Sequence, residues 1–380
     1  MTTTSWILLL DFLASAFLGA MVIELMLVVA YKRRLFDKPD ARKVHSIPVP
    51  RLGGVSFLPV MMITVAVTIG MMYHLGLTGY FEKEYYVLIQ LAVLLGSGML
   101  MYIVGVADDL VDVDYRFKLL FQFIASCVVV LSGLWIKDFY GLFGLHEVRG
   151  FIGMPLSVFL IIYIINSINM IDGIDGLASG IGILSLITLT IIAFAEDHFL
   201  HMIIGVTLLG VVSVFWLFNM FGSKEQSTKV FMGDSGSLTL GLFLSFLIIN
   251  VSDFSGGDPS RNSLYMALGF STLAIPMLDV PRIVIWRLSQ RRSPFQPDNN
   301  HIHHLLMRCG LSQHGALGVL LGVDVVLILL TMFLAKCVSV TWVFWIDVLL
   351  WYAFTGIVLV FLRRKGKASP SAPTKEIGGH

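Results

Sequence analysis

Residues 155–195 read PLSVFLIIYIINSINMIDGIDGLASGIGILSLITLTIIAFA. They consist of two apolar runs, 155–171 and 177–195, separated by a short polar segment, and neither run contains a charged side chain. Because a helix needs roughly 20 apolar residues to cross a bilayer, each run has close to the length of a membrane span. This stretch predicts a helical membrane protein, and the rest of the chain extends that prediction.

The overall composition agrees with this interpretation. The chain of 380 residues is 57% hydrophobic and 13% charged, with a mean hydropathy of +0.85. Soluble domains carry roughly 25% charged residues, so the composition argues against a soluble enzyme, a disordered chain, a coiled coil and a disulfide-stapled domain. The net charge of +1 gives no reason to expect a nucleic-acid partner. The three cysteines are far apart and are interpreted as apolar space-filling side chains.

Apolar stretches of similar length recur along the chain and predict an all-α integral membrane protein with about eleven transmembrane helices. They lie near residues 5–30, 55–76, 85–106, 118–135, 155–171, 177–195, 200–221, 236–251, 263–286, 313–335 and 340–362. The first has no Lys or Arg before it and is interpreted as a retained anchor. Residues 1–365 form one predicted membrane domain, and the polar residues 366–380 are predicted to be a disordered cytoplasmic tail.

Lys and Arg are distributed unequally between the two sets of predicted loops. Of the 26 basic residues, 21 fall on one side of the predicted membrane. Cytoplasmic loops carry an excess of Lys and Arg, so the N-terminus is predicted outside and the C-terminus in the cytoplasm. The basic residues on the opposite, outer side are Lys83, Lys137, Arg149, Arg261 and Lys336.

An acidic group follows the third predicted span, where residues 105–118 read GVADDLVDVDYRFK. Asp108, Asp109 and Asp112 are close enough to repel one another unless a cation neutralises them. Oxygen ligands of this kind suit a hard cation such as Mg²⁺. A solvated acidic turn is the alternative interpretation.

Asparagine and aspartate recur at every third position of residues 166–176, NSINMIDGIDG. On a helix, Asn166, Asn169, Asp172 and Asp175 would form an inclined polar stripe. Carboxylates buried in a membrane are costly and usually functional. A capping turn with glycine accounts for one aspartate, but not for four polar groups in register.

Another carboxylate precedes the eighth predicted span, where residues 229–241 read KVFMGDSGSLTLG. Asp234 is a good helix N-cap, and a helix N-terminus attracts phosphate. The capping role and a functional role do not exclude each other.

Three of the ten histidines cluster in residues 294–304, PFQPDNNHIHH. His301, His303 and His304 cannot all share a helix face, and no cysteine joins them, so hydrogen bonds to phosphate are favoured over zinc. A chance surface cluster is the alternative. The basic segment 32–54 is interpreted as a loop that sets the orientation of the chain in the membrane. Its end, at Arg51 and two glycines, predicts a turn beside an arginine. Together these segments suit a phosphorylated soluble substrate that meets a lipid substrate at the interface.

In these five segments the sequence resembles the polyprenyl-phosphate N-acetylhexosamine-1-phosphate transferases, glycosyltransferase family 4, over essentially the whole chain. The HIHH form resembles the WecA/TagO branch more than the MraY-type translocases. The resemblance implies transfer of a sugar-1-phosphate, most commonly GlcNAc-1-phosphate, from a UDP-sugar to undecaprenyl phosphate with release of UMP. The product would start O-antigen, common-antigen or teichoic-acid-type synthesis.

The same resemblance implies an enzyme of the bacterial inner membrane with its active site on the cytoplasmic face, and it leaves a homodimer open. Asp108 and Asp109 match aspartates considered catalytic. Asp175 and Asp234 match ligands of Mg²⁺, for which Mn²⁺ would be a substitute. The remaining implied residues bind substrate, with Phe231 stacking on uracil and Lys118 near the phosphates: Arg51, Asp112, Lys118, Asn166, Asn169, Asp172, Phe231, His301, His303 and His304.

Two mechanisms fit these residues. The favoured one is direct attack by the lipid phosphate on the β-phosphorus of the UDP-sugar. A phosphate monoester has a second pKa near 6, so Asp108 or Asp109 needs only to orient it or remove its last proton. The alternative makes one of the aspartates a covalent nucleophile.

Other functions remain open alternatives at this point. One is transfer of another UDP-sugar, including UDP-MurNAc-pentapeptide. Another is an ion-coupled transporter, because intramembrane acids also mark such proteins. Transporter acids lie near the midplane and often on broken helices in paired repeats, whereas these clusters lie at span ends and no repeat is apparent. Glu24, Asp324 and Asp347 lie within predicted spans and have no assigned role.

Overall fold

The computed structural model describes residues 3–33, 35, 49–77, 79, 85–223, 226–256, 258–293 and 300–366. In these ranges the regular structure is helical, apart from one antiparallel bridge between Asp138 and Glu147. The predicted tail lies outside the described residues except for Gly366, and so does most of the basic segment 32–54.

The described helices follow the predicted apolar stretches and confirm an all-helical architecture of the membrane type. They are α1 (Thr3–Arg33), α2 (Phe57–His74), α3 (Tyr85–Val111), α4 (Tyr115–Leu131), α5 (Gly150–Ile171), α6 (Leu177–Ala195), α7 (Phe199–Phe221), α8 (Gly233–Val251), α9 (Pro259–Ser271), α10 (Ala274–Ser289), α11 (Ile302–Arg308), α12 (Gln313–Leu334) and α13 (Val340–Arg364).

Nine helical segments within the described ranges are long and apolar enough to cross a membrane, or ten if one bent pair is a single span. The predicted span 118–135 corresponds to α4, which is shorter, with 17 residues. The predicted span 263–286 is the bent pair: α9 and α10 meet at an angle of 61°.

Proline accounts for the bend between α9 and α10. Pro276 lies in the first turn of α10 and has no N–H to donate to the carbonyl of Thr272, four residues earlier. The hydroxyl of Ser185, on α6, donates to the Ile181 carbonyl at 2.9 Å and also lies 3.2 Å from the Thr272 carbonyl. A side chain from a neighbouring helix therefore provides part of the missing backbone hydrogen bond.

Helix α8 is the centre of the molecule. It packs against α3, α5 and α6. In its most apolar stretch of 18 residues, 89% is buried inside the protein, whereas the same fraction for α1 is 22%. Its Ser237, Thr239 and Ser245 hydroxyls donate to backbone carbonyls three or four residues earlier; the Thr239 hydroxyl, for example, donates to the carbonyl of Ser235 at 2.6 Å. Groups at the N-terminus of α8 are therefore surrounded by the ends of its neighbours.

A glycine lets α3 reach the first turn of α8. A Cβ atom on Gly105 would lie 2.4 Å from the Cα atom of Ser235 and 2.5 Å from its nitrogen. Only a residue without a side chain allows this backbone approach. The approach places Asp108 and Asp109, one turn further along α3, beside the N-terminus of α8.

Candidate active site

One lysine joins two of the predicted carboxylates. The Nζ atom of Lys118, on α4, lies 3.1 Å from Asp108 Oδ2 and 3.0 Å from Asp234 Oδ2. The other oxygen of Asp108 accepts a hydrogen bond from the Val113 N–H at 2.8 Å. The structure therefore brings three predicted residues from α3, α4 and α8 into one ionic cluster.

Asp109 is bound to the backbone at the start of α8. Its Oδ1 accepts from the N–H of Asp234 at 2.8 Å, and its Oδ2 accepts from the N–H of Ser235 at 3.0 Å. The first N–H groups of a helix have no partner within the helix and carry partial positive charge. Asp109 therefore caps α8 from another helix, although sequence reasoning suggested this role for Asp234.

The two asparagines of the polar stripe have different partners. Asn169 Nδ2 donates to Asp234 Oδ1 at 3.1 Å and to the hydroxyl of Ser237 at 2.9 Å, so it belongs to the ionic cluster. Asn166 Nδ2 donates instead to Gln122 Oε1, on α4, at 2.6 Å. Asn166 therefore links α5 to α4.

Asp175 forms a second lysine–carboxylate pair. Its Oδ2 lies 2.8 Å from Nζ of Lys229, whose side chain is 8% exposed. Asn219, on α7, joins the segment of Asp175 to the segment of Lys229. Its side chain accepts a hydrogen bond from the Gly176 N–H at 2.6 Å and donates one to the Val230 carbonyl at 2.8 Å. Lys229 stands at the first position of the segment quoted above, but its apolar surroundings gave no sign that it would be paired.

Negative charge exceeds positive charge around Asp172, which directly follows α5. Burial, followed by the negative charge of Asp234 and then of Asp175, raises the pKa of Asp172 to about 8. The positive charge of Arg51 acts in the opposite direction but is a smaller cause. Asp172 is therefore mainly protonated at neutral pH, and a cation bound nearby would favour its ionised form.

Arg51 and Phe231 are neighbours because their backbones pair. The Phe231 N–H donates to the Pro50 carbonyl at 2.9 Å, and the Gly53 N–H donates to the Phe231 carbonyl at 3.0 Å. The Gly54 N–H extends this pairing to the Met232 carbonyl at 2.9 Å. The turn predicted beside Arg51 is therefore fastened to the segment that enters α8.

The histidines lie at the start of α11, where the ring of His303 stacks on His301 and is tilted against His304. The ring centroids of His301 and His303 are 5.6 Å apart, and those of His303 and His304 are 4.2 Å apart. Burial and the neighbouring His304 lower the pKa of His303 well below its ordinary value, so its ring is neutral. A Cβ atom on Gly173 would lie 2.3 Å from His303 Nε2, which places this ring against the loop after α5.

Asp112 lies apart from the ionic cluster. It follows α3 with a positive φ of 54°, and its side chain is exposed. The structure thus brings Asp108 and Asp109 to the N-terminus of α8, and the third aspartate of the acidic group turns outward.

A family model, "Glycosyl transferase family 4", matches residues 91–252. The chain is also 30% identical over 290 residues to an undecaprenyl-phosphate alpha-N-acetylglucosaminyl 1-phosphate transferase of Salmonella typhi, and the match covers 76% of this chain and 73% of the relative. The chain belongs to glycosyl transferase family 4. The relative of the same name from Escherichia coli K12 has the same identity and coverage.

A family 4 relative from Bacillus subtilis is named as a probable undecaprenyl-phosphate N-acetylglucosaminyl 1-phosphate transferase. It is 26% identical over 303 residues, which cover 79% of this chain and 77% of the relative. These matches confirm the family resemblance and favour a transferase over an ion-coupled transporter. The matched range 91–252 contains the whole ionic cluster, whereas Arg51 and the histidines lie beyond it.

Asp175 and Asp234 are the carboxylates of this site that could hold a divalent cation. Among the described residues, no three His, Cys, Asp or Glu side chains form a ready-made metal cage. Mg²⁺ is usually bound by one or two carboxylates together with water and substrate phosphates. Asp175 and Asp234 supply carboxylate oxygens, and their lysine partners show that each already attracts a cation.

Some residues of the site were not found by sequence reasoning. Gln122, Asn219 and Ser237 are polar residues inside apolar helices, and this contrast is the feature of the sequence by which they could have been found. Asp279 carries the same signal, being an aspartate within a predicted span. It accepts hydrogen bonds from Arg282 and from the His301 ring.

Proposed function

We propose that this family 4 member transfers GlcNAc-1-phosphate from UDP-GlcNAc to undecaprenyl phosphate and releases UMP. The observation that carries the proposal is the meeting of Asp108 and Asp234 on Lys118 at the capped N-terminus of α8. The relatives from Salmonella typhi and Bacillus subtilis are named for the same type of transfer.

The basic groups around α8 suit the diphosphate of the donor. Lys118 and Lys229 are each held by carboxylates, so both can exchange part of that pairing for phosphate oxygens. Asp175 and Asp234 would hold Mg²⁺, with Mn²⁺ as a substitute. When bound, the ion would neutralise the diphosphate and make the β-phosphorus more electrophilic.

The transfer itself breaks one bond and forms one bond. An oxygen of the lipid phosphate bonds to the β-phosphorus of UDP-GlcNAc, and the bond from that phosphorus to the bridging oxygen breaks. The bridging oxygen leaves with the α-phosphate as UMP. Catalysis of this kind depends mainly on positioning and charge neutralisation.

The hydrogen bonds of the two adjacent aspartates support the direct route. A covalent nucleophile needs a free oxygen, whereas both oxygens of Asp109 accept backbone N–H groups of α8. We therefore assign Asp109 to holding the N-terminus of α8 in place. Asp108, bound to Lys118 and to the Val113 N–H, is assigned to orienting the lipid phosphate.

An apolar groove beside the ionic cluster suits the polyprenyl chain. It lies between α3 and α4, has a volume of about 290 Å³, and is lined by residues including Val104, Ala107, Phe117 and Phe121. Ala107 precedes Asp108 and Phe117 precedes Lys118 in the chain. A lipid phosphate at Lys118 would therefore have the isoprene units nearest to it in this groove.

The proposed topology has eleven crossings, with the N-terminus outside and the C-terminus in the cytoplasm of a bacterial inner membrane. Its support is the distribution of basic residues, 21 of 26 on one side. The carboxylates lie at the C-terminal ends of α3 and α5 and at the N-terminus of α8. All three ends belong to the side with the basic excess, where soluble UDP-sugars are found.

Release of UMP is the experiment that tests the proposal. Purified protein in detergent is mixed with undecaprenyl phosphate, Mg²⁺ and, in separate reactions, UDP-GlcNAc, UDP-GalNAc or UDP-MurNAc-pentapeptide. We expect lipid-dependent UMP release with UDP-GlcNAc, and its absence with every donor would contradict the proposal. Exchange of labelled UMP into UDP-GlcNAc without lipid would replace the direct route by the covalent one.

Two phenylalanines of α4 test the lipid groove. Phe121 lines the groove, whereas Phe123 is 52% exposed and does not line it. We expect Phe121→Ala to raise KM for undecaprenyl phosphate about 2- to 10-fold, with KM for UDP-GlcNAc unchanged. The matched variant Phe123→Ala should leave both values unchanged, and equal effects of the two variants would remove the lipid chain from this groove.

A further inference from the structure

A buried carboxylate outside the family motifs holds the segment that carries the histidines. Asp279, on α10, has a side chain that is 1% exposed. Its Oδ1 accepts from Arg282 Nε at 2.9 Å and from Arg282 Nη2 at 2.7 Å. Its Oδ2 faces His301 Nδ1 at 3.1 Å and accepts from the Ile302 N–H at 3.3 Å. Both oxygens are therefore used.

Arg282 extends the attachment to the residue before the histidines. Its Nη2 atom also donates to the Asn300 carbonyl at 2.7 Å. Further along, Arg308 Nη2 donates to the side-chain oxygen of Asn300 at 3.1 Å. The first turn of α11 is thus fixed to α10 by a network centred on one carboxylate.

The contact with Asp279 determines which nitrogen of His301 faces a ligand. A carboxylate accepts a hydrogen bond from an imidazole N–H, so Nδ1 of His301 carries the hydrogen and Nε2 lies on the other side of the ring. The His301 ring stacks on His303 with an angle of 10° between the planes. His303 in turn contacts Gly173, between Asp172 and Asp175.

We propose that Asp279 is a positioning residue of the transfer reaction, which acts by orienting His301 so that Nε2 faces the diphosphate of the UDP-sugar. This inference rests on the function proposed above. Carboxylates that hold the second nitrogen of a functional imidazole have this role in other enzymes. If Asp279 only joined α10 to α11, its contacts with Arg282 and with the Ile302 N–H would be enough, and a contact with the His301 ring would not be required.

A double-mutant cycle separates the two roles. We expect Asp279→Asn to lower kcat/KM for UDP-GlcNAc about 10- to 100-fold. In a His301→Ala background the same change should lower it by no more than about 2-fold, because the residue through which it acts is gone. Equal losses in both backgrounds, or a His301→Ala enzyme as active as the wild type, would overturn the proposal.

A matched control measures the cost of removing a buried carboxylate from this protein. Asp347, on α13, is buried and its Oδ2 accepts from the hydroxyl of Thr331 at 2.9 Å. Asp347→Asn should leave kcat/KM unchanged. Binding of UDP, measured by titration calorimetry on the same variants, should weaken with Asp279→Asn and not with the control. Absence of UMP release from the wild type would instead count against the proposed function itself.

The wild-type protein offers a test that does not depend on whether Asp279→Asn folds. Labelling of histidine with ¹⁵N, with the His301 signals assigned from their loss in His301→Ala, reports which ring nitrogen carries the proton. The proposal requires hydrogen on Nδ1 of neutral His301. Hydrogen on Nε2 alone would overturn it.

Discussion

Two groups of carboxylates lie in or beside the membrane helices of this protein, and their partners differ. The transfer-site carboxylates contact lysines or backbone N–H groups: Asp108, Asp109, Asp175 and Asp234. The peripheral carboxylates contact threonine hydroxyls or, for one of them, no hydrogen-bond donor among the described residues: Asp11, Asp324 and Asp347.

The peripheral carboxylates join helices through neutral groups. Asp11 accepts from Thr68, on α2, at 2.6 Å and from Thr207, on α7, at 2.5 Å. A hydroxyl donor satisfies a buried carboxyl group but provides no charge that a substrate could use. Both oxygens of Asp324 are buried without a hydrogen-bond partner in the described part of the chain. Glu24, also within a span, is exposed.

The transfer-site carboxylates hold positive charge in position. Lys118 and Lys229 can each exchange a carboxylate oxygen for a phosphate oxygen beside the N-terminus of α8. Cations near a helix N-terminus are what a nucleotide diphosphate requires. The comparison teaches that an acidic residue within the membrane indicates a binding site for a diphosphate only when its partner is itself charged or is a backbone N–H group.

The largest effect is expected at Asp234, which contacts both Lys118 and Asn169. Asp234→Ala should lower kcat by about 10³-fold or more, because it removes a proposed Mg²⁺ ligand and the partner of Lys118. UMP release measures the loss, and the Mg²⁺ concentration needed for the residual activity should rise. Asp11→Asn is the peripheral counterpart and should retain activity. Similar losses in both variants would remove the distinction between the groups.

The next effect is expected at Lys118. Lys118→Ala leaves Asp108 and Asp234 facing each other without their shared cation. We expect kcat to fall about 10²-fold, and KM for UDP-GlcNAc to rise. Lys137, which pairs with Asp253 with both side chains half exposed, is the control. Lys137→Ala should change neither value, since exposed ion pairs contribute little.

A smaller effect separates the two adjacent aspartates. Asp109→Asn keeps one oxygen for the N–H groups of α8 and loses the other, so the free energy of unfolding should fall by about 1 kcal/mol. Asp108→Asn should lower kcat with little change in stability. Thermal unfolding and UMP release on both variants check this division. Loss of stability from Asp108→Asn alone would reverse the assigned roles.

The smallest effect concerns pH and Asp172. Its pKa in the folded protein is raised to about 8, so between its ordinary pKa and pH 8 the folded state binds more protons than the unfolded state. Stability should therefore decline as the pH rises through this window. Asp172→Asn removes that proton and should flatten the decline between about pH 5 and pH 8 in thermal unfolding without Mg²⁺. An unchanged slope would contradict the raised pKa.

Predicting the helices from sequence succeeded because the membrane signal is local. Each apolar run has the composition of a span whatever it packs against, and 177–195 even matches α6 at both ends. The break between α9 and α10 needed the position of Ser185, on another helix, to be understood. The apolar periodicity of this stretch did not predict the break, although Pro276 is a local signal for a bend in a helix.

Predicting the site succeeded for chemical type and failed for partners. Asp108 and Asp234 were selected as carboxylates at the ends of predicted spans, and Lys118 was selected from the family resemblance; the structure brings the three together. Asn166 was grouped with Asn169 by spacing, yet the two bind different helices. Asp279 lacks a motif, and only its contact with His301 marks it.

The sequence by itself determined the membrane class, the approximate spans, the unequal distribution of basic residues and the family. These depend on composition and on short motifs, which are properties of neighbouring residues. Only the tertiary structure decided that Lys118 serves two carboxylates, that Asp109 caps α8 and that Asp279 holds His301. Such contacts join residues up to 126 positions apart, and their geometry depends on how close backbones pack, as at Gly105.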